Sequence, residues 1–276
     1  MNISEKPKNS DDCRLSAHSI ALPNGLKFHL TSREMLYSAK FVFNEIFIRQ
    51  RYYRKGFEIR PDDTVVDIGA NMGMFVMWAA PQANRGRVLA IEPARQSFDC
   101  LQLNLDMNGL KNVIALRAAV GKRGDRLDMI EYPGLNLVSH QASFPPPLTI
   151  RLWNCHRRKL AIKTTAICVS LDDLMDEYDL DTINYLKIDC EGGEYEILRN
   201  LPPRYWERIE RISLEFHELC SHQKYRELVS CLRKQGFQVE VRKSFFNYLF
   251  FKTGEIWGRR PARRGSEGEK TPLRQS

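Results

Sequence analysis

The stretch VVDIGANMG, residues 65–73, decides how the rest of the chain is read. A β-branched run over 64–68 carries an acid, Asp67, near its end. A loop holding Gly69 and Gly73 then leads into the helical pattern of 74–80. Strand, glycine loop and helix in that order open a doubly wound α/β fold, whose ligands sit at the carboxyl ends of parallel strands. The glycines let a ligand approach the backbone, and the helix start behind them offers free N–H groups. The pyrophosphate-binding spacing G-x-G-x-x-G is absent, and an acid at 67 would repel a phosphate. Such an acid suits a cationic ligand.

Outward from this loop, strands and helices alternate. Residues 87–91 (RVLAI) read as a strand, and 94–107 as an amphipathic helix with Phe98, Leu101 and Leu105 on one face, stopped at Asn108-Gly109. Further strands are predicted at 113–116, 166–169, 182–188, 209–216 and 237–241. Helices are predicted after Ser170, whose hydroxyl can cap with Asp173 three positions on, and over 194–199 and 223–234. Residues 248–251 suit an antiparallel partner strand. The fold class is therefore α/β: Rossmann-like, with a mostly parallel twisted sheet, a C-terminal antiparallel strand and helices on both faces. The expected organisation is a polar, partly disordered segment at 1–31, a helical cap at 32–60, the main domain at 61–252 with a flap or hairpin at 128–165, and a basic disordered tail at 253–276. Trp78, Phe98 and the aromatic run 245–251 are expected in the core.

Composition narrows the function classes. Of 276 residues, 43% are hydrophobic and 28% charged, which excludes global disorder. The net charge is +8, and residues 252–276 alone contribute +4, from seven basic and three acidic side chains. The remainder is only mildly basic and carries no aromatic-plus-basic groove motif, so no nucleic-acid partner is expected. Seven cysteines with no CxxC pair suggest free thiols in a cytoplasmic setting. The polar N-terminus and the lack of a long apolar run argue against a secretory signal or a membrane span. Cys155-His156 has no second ligand pair, so no metal is assigned, and HRRK (156–159) reads as a solvated basic turn.

Two further signals carry chemistry. The strand after the glycine loop ends in Ile91-Glu92-Pro93, and Glu92 lies where a carboxylate can accept both hydroxyls of a ribose. An acid on each of two strands, with glycines between, fits a nucleoside with a positive amino-acid part and no phosphate. S-adenosylmethionine answers that description, and a nicotinamide-dinucleotide fold is the competing reading. The other signal is YLKIDCEGGEYEIL (185–198), which delivers Lys187, Asp189, Glu191 and Glu194 around two glycines. Glu194 can be a helix-capping acid, whereas Asp189 ends a strand at the ligand-binding edge. Glu215 and His217 alternate on one strand face and can both reach the same pocket.

DIGANMG, IEP, SLDDL and LKIDCEGGEYEIL, in that order, resemble the FkbM family of S-adenosylmethionine-dependent methyltransferases over roughly residues 45–251. The resemblance implies a methionine-binding loop at Asp67, Gly69, Ala70, Asn71 and Gly73, and a ribose acid at Glu92 followed by Pro93. It implies passage of the chain by the adenine at Ala118 and Ala119, a loop residue at Asn136, and the family signature at Asp189, Glu191, Gly192 and Glu194. Residues 144–163 match no family pattern. The implied activity is methylation of a hydroxyl on a small-molecule, sugar or polyketide-like acceptor, free or carrier-bound, with S-adenosylmethionine as cofactor. Asp189, His217 and Glu191 are the candidate catalytic residues, Asp189 accepting the proton alone or with His217 and also counting among the cofactor contacts. Two alternatives stand beside this reading: a metal-assisted version in which Asp189, Glu191 and Glu215 gather Mg²⁺, and an RNA-binding or RNA-modifying protein that uses the basic tail.

Overall fold

Val65 and Val66 point to opposite faces of one strand, and each face has its own core. The computed structural model describes residues 19–132, 140–141 and 161–261. Within them the chain forms β1 (Ser19–Ala21), β2 (Lys27–His29), α1 (Leu36–Phe43), β3 (Thr64–Ile68), α2 (Met74–Ala79), β4 (Arg87–Ile91), α3 (Arg95–Asn108), β5 (Val113–Leu116), β6 (Ala119–Val120), β7 (Arg126–Glu131), β8 (His140–Gln141) and β9 (Ile162–Val169). It continues with α4 (Leu171–Glu177), β10 (Tyr185–Ile188), α5 (Glu194–Asn200), α6 (Pro203–Trp206), β11 (Arg211–His217), α7 (Tyr225–Lys234), β12 (Gln238–Arg242), α8 (Phe245–Phe251) and β13 (Thr253–Arg259). A five-residue π-turn, Asn44–Ile48, extends α1.

The main sheet has the order β12-β13-β11-β10-β3-β4-β5. The five strands from β11 to β5 are parallel, and β13 runs antiparallel to both of its neighbours. One face is covered by α2, α3 and the N-terminal cap through Phe75, Trp78, Leu101 and Phe47. The other is covered by α4, α5 and α7 through Leu174, Leu198 and Leu228. The Rossmann-like α/β fold is thus present, with the strand order reversing between β3 and β10. A small second sheet, β6-β9-β7-β8, lies beside it. Its β7 and β9 pair antiparallel from Arg126↔Ile167 to Glu131↔Ile162, so the flanks of the expected flap form a hairpin. HRRK (156–159), Asn136 and nearly all of 144–163 lie outside the described residues.

Residues 1–18 of the polar leading segment lie outside the described residues. From 19 on, β1 and β2 form a hairpin that buries Ile20 and Phe28. It is tied to α3, where Asn104 donates to His29 O (3.0 Å) and accepts from His29 N (2.6 Å). Residues 248–251 are helix and not strand, because the run YLFF has no polar–apolar alternation to fix its period. Phe245 and Leu249 in it are exposed rather than core. The antiparallel strand is instead β13, inserted between β11 and β12 where a disordered tail was expected to begin. Its glycines are packing devices, since a Cβ at Gly254 would lie 2.7 Å from the Phe216 ring and one at Gly258 2.8 Å from Ile212. Just beyond, Arg260 donates to the carbonyls of Ile209, Gln235 and Trp206 at 2.6–2.9 Å.

Candidate active site

The loops after β3 and β10 meet where the strand order reverses, and their contact is tight. Gly69 has φ +78°, and a Cβ there would lie 1.8 Å from the Asp189 carbonyl oxygen, so only glycine lets the two loops close. Beside them opens a cavity of about 580 Å³. Gly69, Ala70, Asn71, Glu92, Pro93, Ala118 and Ala119 line it. Glu92 is held in place by backbone N–H donors from Asn71 and Ala94, each at 2.8 Å. Burial pushes its carboxyl up to about 7, against the pull of those two N–H groups.

Asp67 and Gly73 do not line the cavity. In the β3–β10 register Asp67 faces Lys187, whose ammonium donates to Asp67 Oδ1 at 2.8 Å and to the Gly69 carbonyl at 3.3 Å. Asp67 is therefore spent on a buried lysine rather than left facing a cationic ligand. Burial raises its carboxyl, and Lys187 offsets part of that rise. The lysine itself reaches the cavity wall. Gly73, with φ +89°, serves packing: a Cβ there would come within 2.6 Å of Leu101 Cδ1 on α3.

Asp189, Glu191, Glu215 and His217 also line the cavity, Asp189 directly beside Gly69. Asp189, Glu215 and His217 bring one ligand-type atom each within 4.8 Å of one another, whereas Glu191, expected in that set, is not part of it. Arg51 supplies the counter-charge: Nη2 donates to Glu215 at 2.7 Å, and Nε lies 2.7 Å from Glu255 Oε1. Burial opposes ionisation of Glu215, but Arg51 beside it brings the carboxyl below its usual range. These side chains form an acid–imidazole cluster whose negative charge Arg51 balances. Glu191, in the left-handed region at φ +49°, places Oε2 3.7 Å from His217 Nε2. Burial raises the Glu191 carboxyl to about 8, with His217 opposing. His217 Nδ1 lies 2.9 Å from Glu194 Oε1. Burial disfavours charge on this imidazole, yet Glu191 and Glu194 outweigh it and hold His217 well above its usual range.

Sequence reasoning gave the N-terminal helices a share in the pocket but named none of the residues they supply. Arg51 and Tyr52 line the cavity together with Phe41, Ile46 and, from β13, Thr253 and Glu255. Arg51 and Glu215 are 164 residues apart in sequence, so no local pattern links them. The five described cysteines are free, two of them (Cys168 and Cys190) in the cavity wall. No helix among the described residues is long and apolar enough to cross a membrane.

A doubly wound sheet of this strand order, with a glycine loop and a backbone-held carboxylate at its switch point, makes this a Rossmann-like α/β protein of methyltransferase type. The profile described as Methyltransferase FkbM domain matches residues 67–239, and the chain belongs to that family. Similar proteins include the 31-O-demethyl-FK506 methyltransferase FkbM of Streptomyces tacrolimicus, 30% identical over 240 residues that cover 80% of this chain and 89% of the relative. Methyltransferase 1 of Beauveria bassiana (strain ARSEF 2860) is 28% identical over 214 residues, 74% of this chain and 83% of the relative. Among solved structures, the methyltransferase FkbM from Methylobacillus flagellatus KT is 16% identical with a TM-score of 0.49, covering 83% of this chain and 56% of that one.

Proposed function

We propose that this chain transfers the methyl group of S-adenosylmethionine to a hydroxyl of a small-molecule, sugar or polyketide-like acceptor, free or carrier-bound. The observation that carries the reading is one continuous cavity. It runs from the glycine loop and Glu92 to the acid–imidazole cluster of Asp189 and His217. The residues present fit the cofactor. Glu92 offers a fixed carboxylate for ribose hydroxyls, Ala118 and Ala119 leave a low wall beside it for a base, and Asp189 stands where the amino-acid part would end. When bound, the cofactor supplies a methyl group activated by a sulfonium sulfur. The chain's own contribution is to orient the acceptor, exclude water and remove a proton. In this reading Asp189 takes the hydroxyl proton; His217, held in its charged form by Glu191 and Glu194, joins it only after giving up its own proton, and Arg51 keeps Glu215 and Glu255 from competing for the same position. The name of the Streptomyces relative specifies methylation at an oxygen, which favours a hydroxyl over an amine acceptor.

The test is incubation with methyl-labelled S-adenosylmethionine and a panel of hydroxylated sugars and macrolides, 31-O-demethyl-FK506 among them, with matched amines. Label in an O-methyl ether supports the reading. Label confined to amines would overturn the oxygen assignment, and an absence of cofactor binding in calorimetry would overturn the whole.

A further inference from the structure

Glu194 is fully buried and does not line the cavity. An ionised carboxylate in such a place costs several kcal/mol unless its surroundings compensate it. The hydrogen bonds to its two oxygens come from the two segments that build the acid–imidazole cluster. Oε1 accepts from Cys190 N at 3.1 Å, Oε2 accepts from Gly192 N at 3.0 Å, and Oε1 also lies 2.9 Å from His217 Nδ1. A glutamine could serve the two N–H groups through its carbonyl. It could not balance the imidazole's charge or accept from Nδ1–H with the same oxygen pair. The side chain is thus matched to the histidine as well as to the helix start.

That pairing has a chemical consequence. With Nδ1 committed as a donor to Glu194, a neutral His217 carries its lone pair on Nε2, on the cavity side. The ring cannot turn over without burying an unpaired carboxylate. We propose that Glu194 is a positioning residue for proton transfer: it fixes His217 in the Nδ1–H tautomer with Nε2 toward the acceptor, and ties that ring to the loop bearing Asp189 and Glu191. The proposal rests on the reading of His217 as a proton acceptor. Other groups face the same imidazole. Glu191 and Asp189 come from the loop after β10 and Glu215 from β11 itself, with Arg51 and Glu255 behind Glu215.

The experiment is a pH titration of the full chain with ¹⁵N-labelled histidine, followed by long-range proton–nitrogen correlation, with His217→Gln to assign the resonance. In the wild type, neutral His217 should show a protonated Nδ1 and a pyridine-type Nε2. In Glu194→Gln its midpoint should fall by about 1–3 pH units, the usual effect of losing an adjacent opposite charge, and the tautomers should mix. An unchanged midpoint and tautomer in Glu194→Gln would overturn the proposal. Should that variant fail to fold, an Nε2–H tautomer in the wild type would overturn it equally well. Neither result depends on cofactor or acceptor, so failure of the methyl-transfer assay would sink the proposed function and leave the tautomer result standing.

Discussion

Under the proposed function Glu92 should make cofactor affinity a function of pH, and the sign follows from its surroundings. Its carboxyl is pushed up to about 7 by burial, so in the free protein it is largely uncharged at pH 6 and largely ionised at pH 8. Ribose hydroxyls are donors and prefer the ionised form, which accepts at both oxygens. Binding below pH 7 must therefore expel a proton, and the ionised fraction rises about tenfold between pH 6 and pH 8, equivalent to ~1.4 kcal/mol. S-adenosylmethionine should bind about tenfold tighter at pH 8 than at pH 6 by that relation. At pH 6, calorimetry in buffers of different ionisation heat should detect the released proton. Glu92→Gln removes the titration and sets an amide donor against the N–H of Asn71 or Ala94. It should lower affinity by about 1–3 kcal/mol and flatten the pH dependence. A wild-type affinity that is the same at both pH values would refute the reasoning, as would a slope that survives intact in Glu92→Gln.

Other consequences are open to measurement. Lys187→Met strands the buried Asp67 carboxylate and should cost about 3–5 kcal/mol in urea unfolding, most of it recovered in the Asp67→Asn/Lys187→Met double variant; wild-type stability in the single variant would remove the pair from the fold. Ending the chain after Gly258 removes Arg260 and leaves the carbonyls of Ile209, Gln235 and Trp206 without their donor, which should cost at least about 1.5–3 kcal/mol, whereas ending it after Pro261 should leave the melting temperature unchanged. Asp189→Asn, assayed with an acceptor from the panel, should slow single turnover by about 10²–10⁴ while the cofactor Kd moves far less. If the Kd rises first, Asp189 is a cofactor ligand and not the base.

Much of this was legible because the relevant signals are local. The strand–glycine–helix pattern at 64–80 placed the switch point, and Glu92 followed from the end of the next strand. The cap at Ser170 appears as read, with Asp173 N donating to the hydroxyl at 3.2 Å. What escaped was set by pairing across the sheet. Asp67 looked like a free strand-end acid because nothing in the sequence reveals that Lys187 stands in register with it. The strand Thr253–Arg259 was hidden by two charges and by two glycines whose sense emerges only against Phe216 and Ile212. The hairpin at 19–29 did have a local signal, Asn24-Gly25 between apolar alternations, which a polar leading segment obscured.

The insertion of β13 between β11 and β12 also bears on the order of assembly. Those two strands are adjacent in sequence, joined through α7, yet they cannot pair with each other in the finished sheet. During synthesis β11 waits with an open edge until residues 253–259 have left the ribosome, and β12 has no partner in the main sheet before then. Thr253 and Glu255 are cavity residues, so the pocket is incomplete for the same interval. Long-range closure of this kind slows folding and leaves an apolar strand edge temporarily exposed to other chains. Refolding should therefore be most prone to aggregation while that edge is open, and an added peptide spanning 253–259 would compete for it.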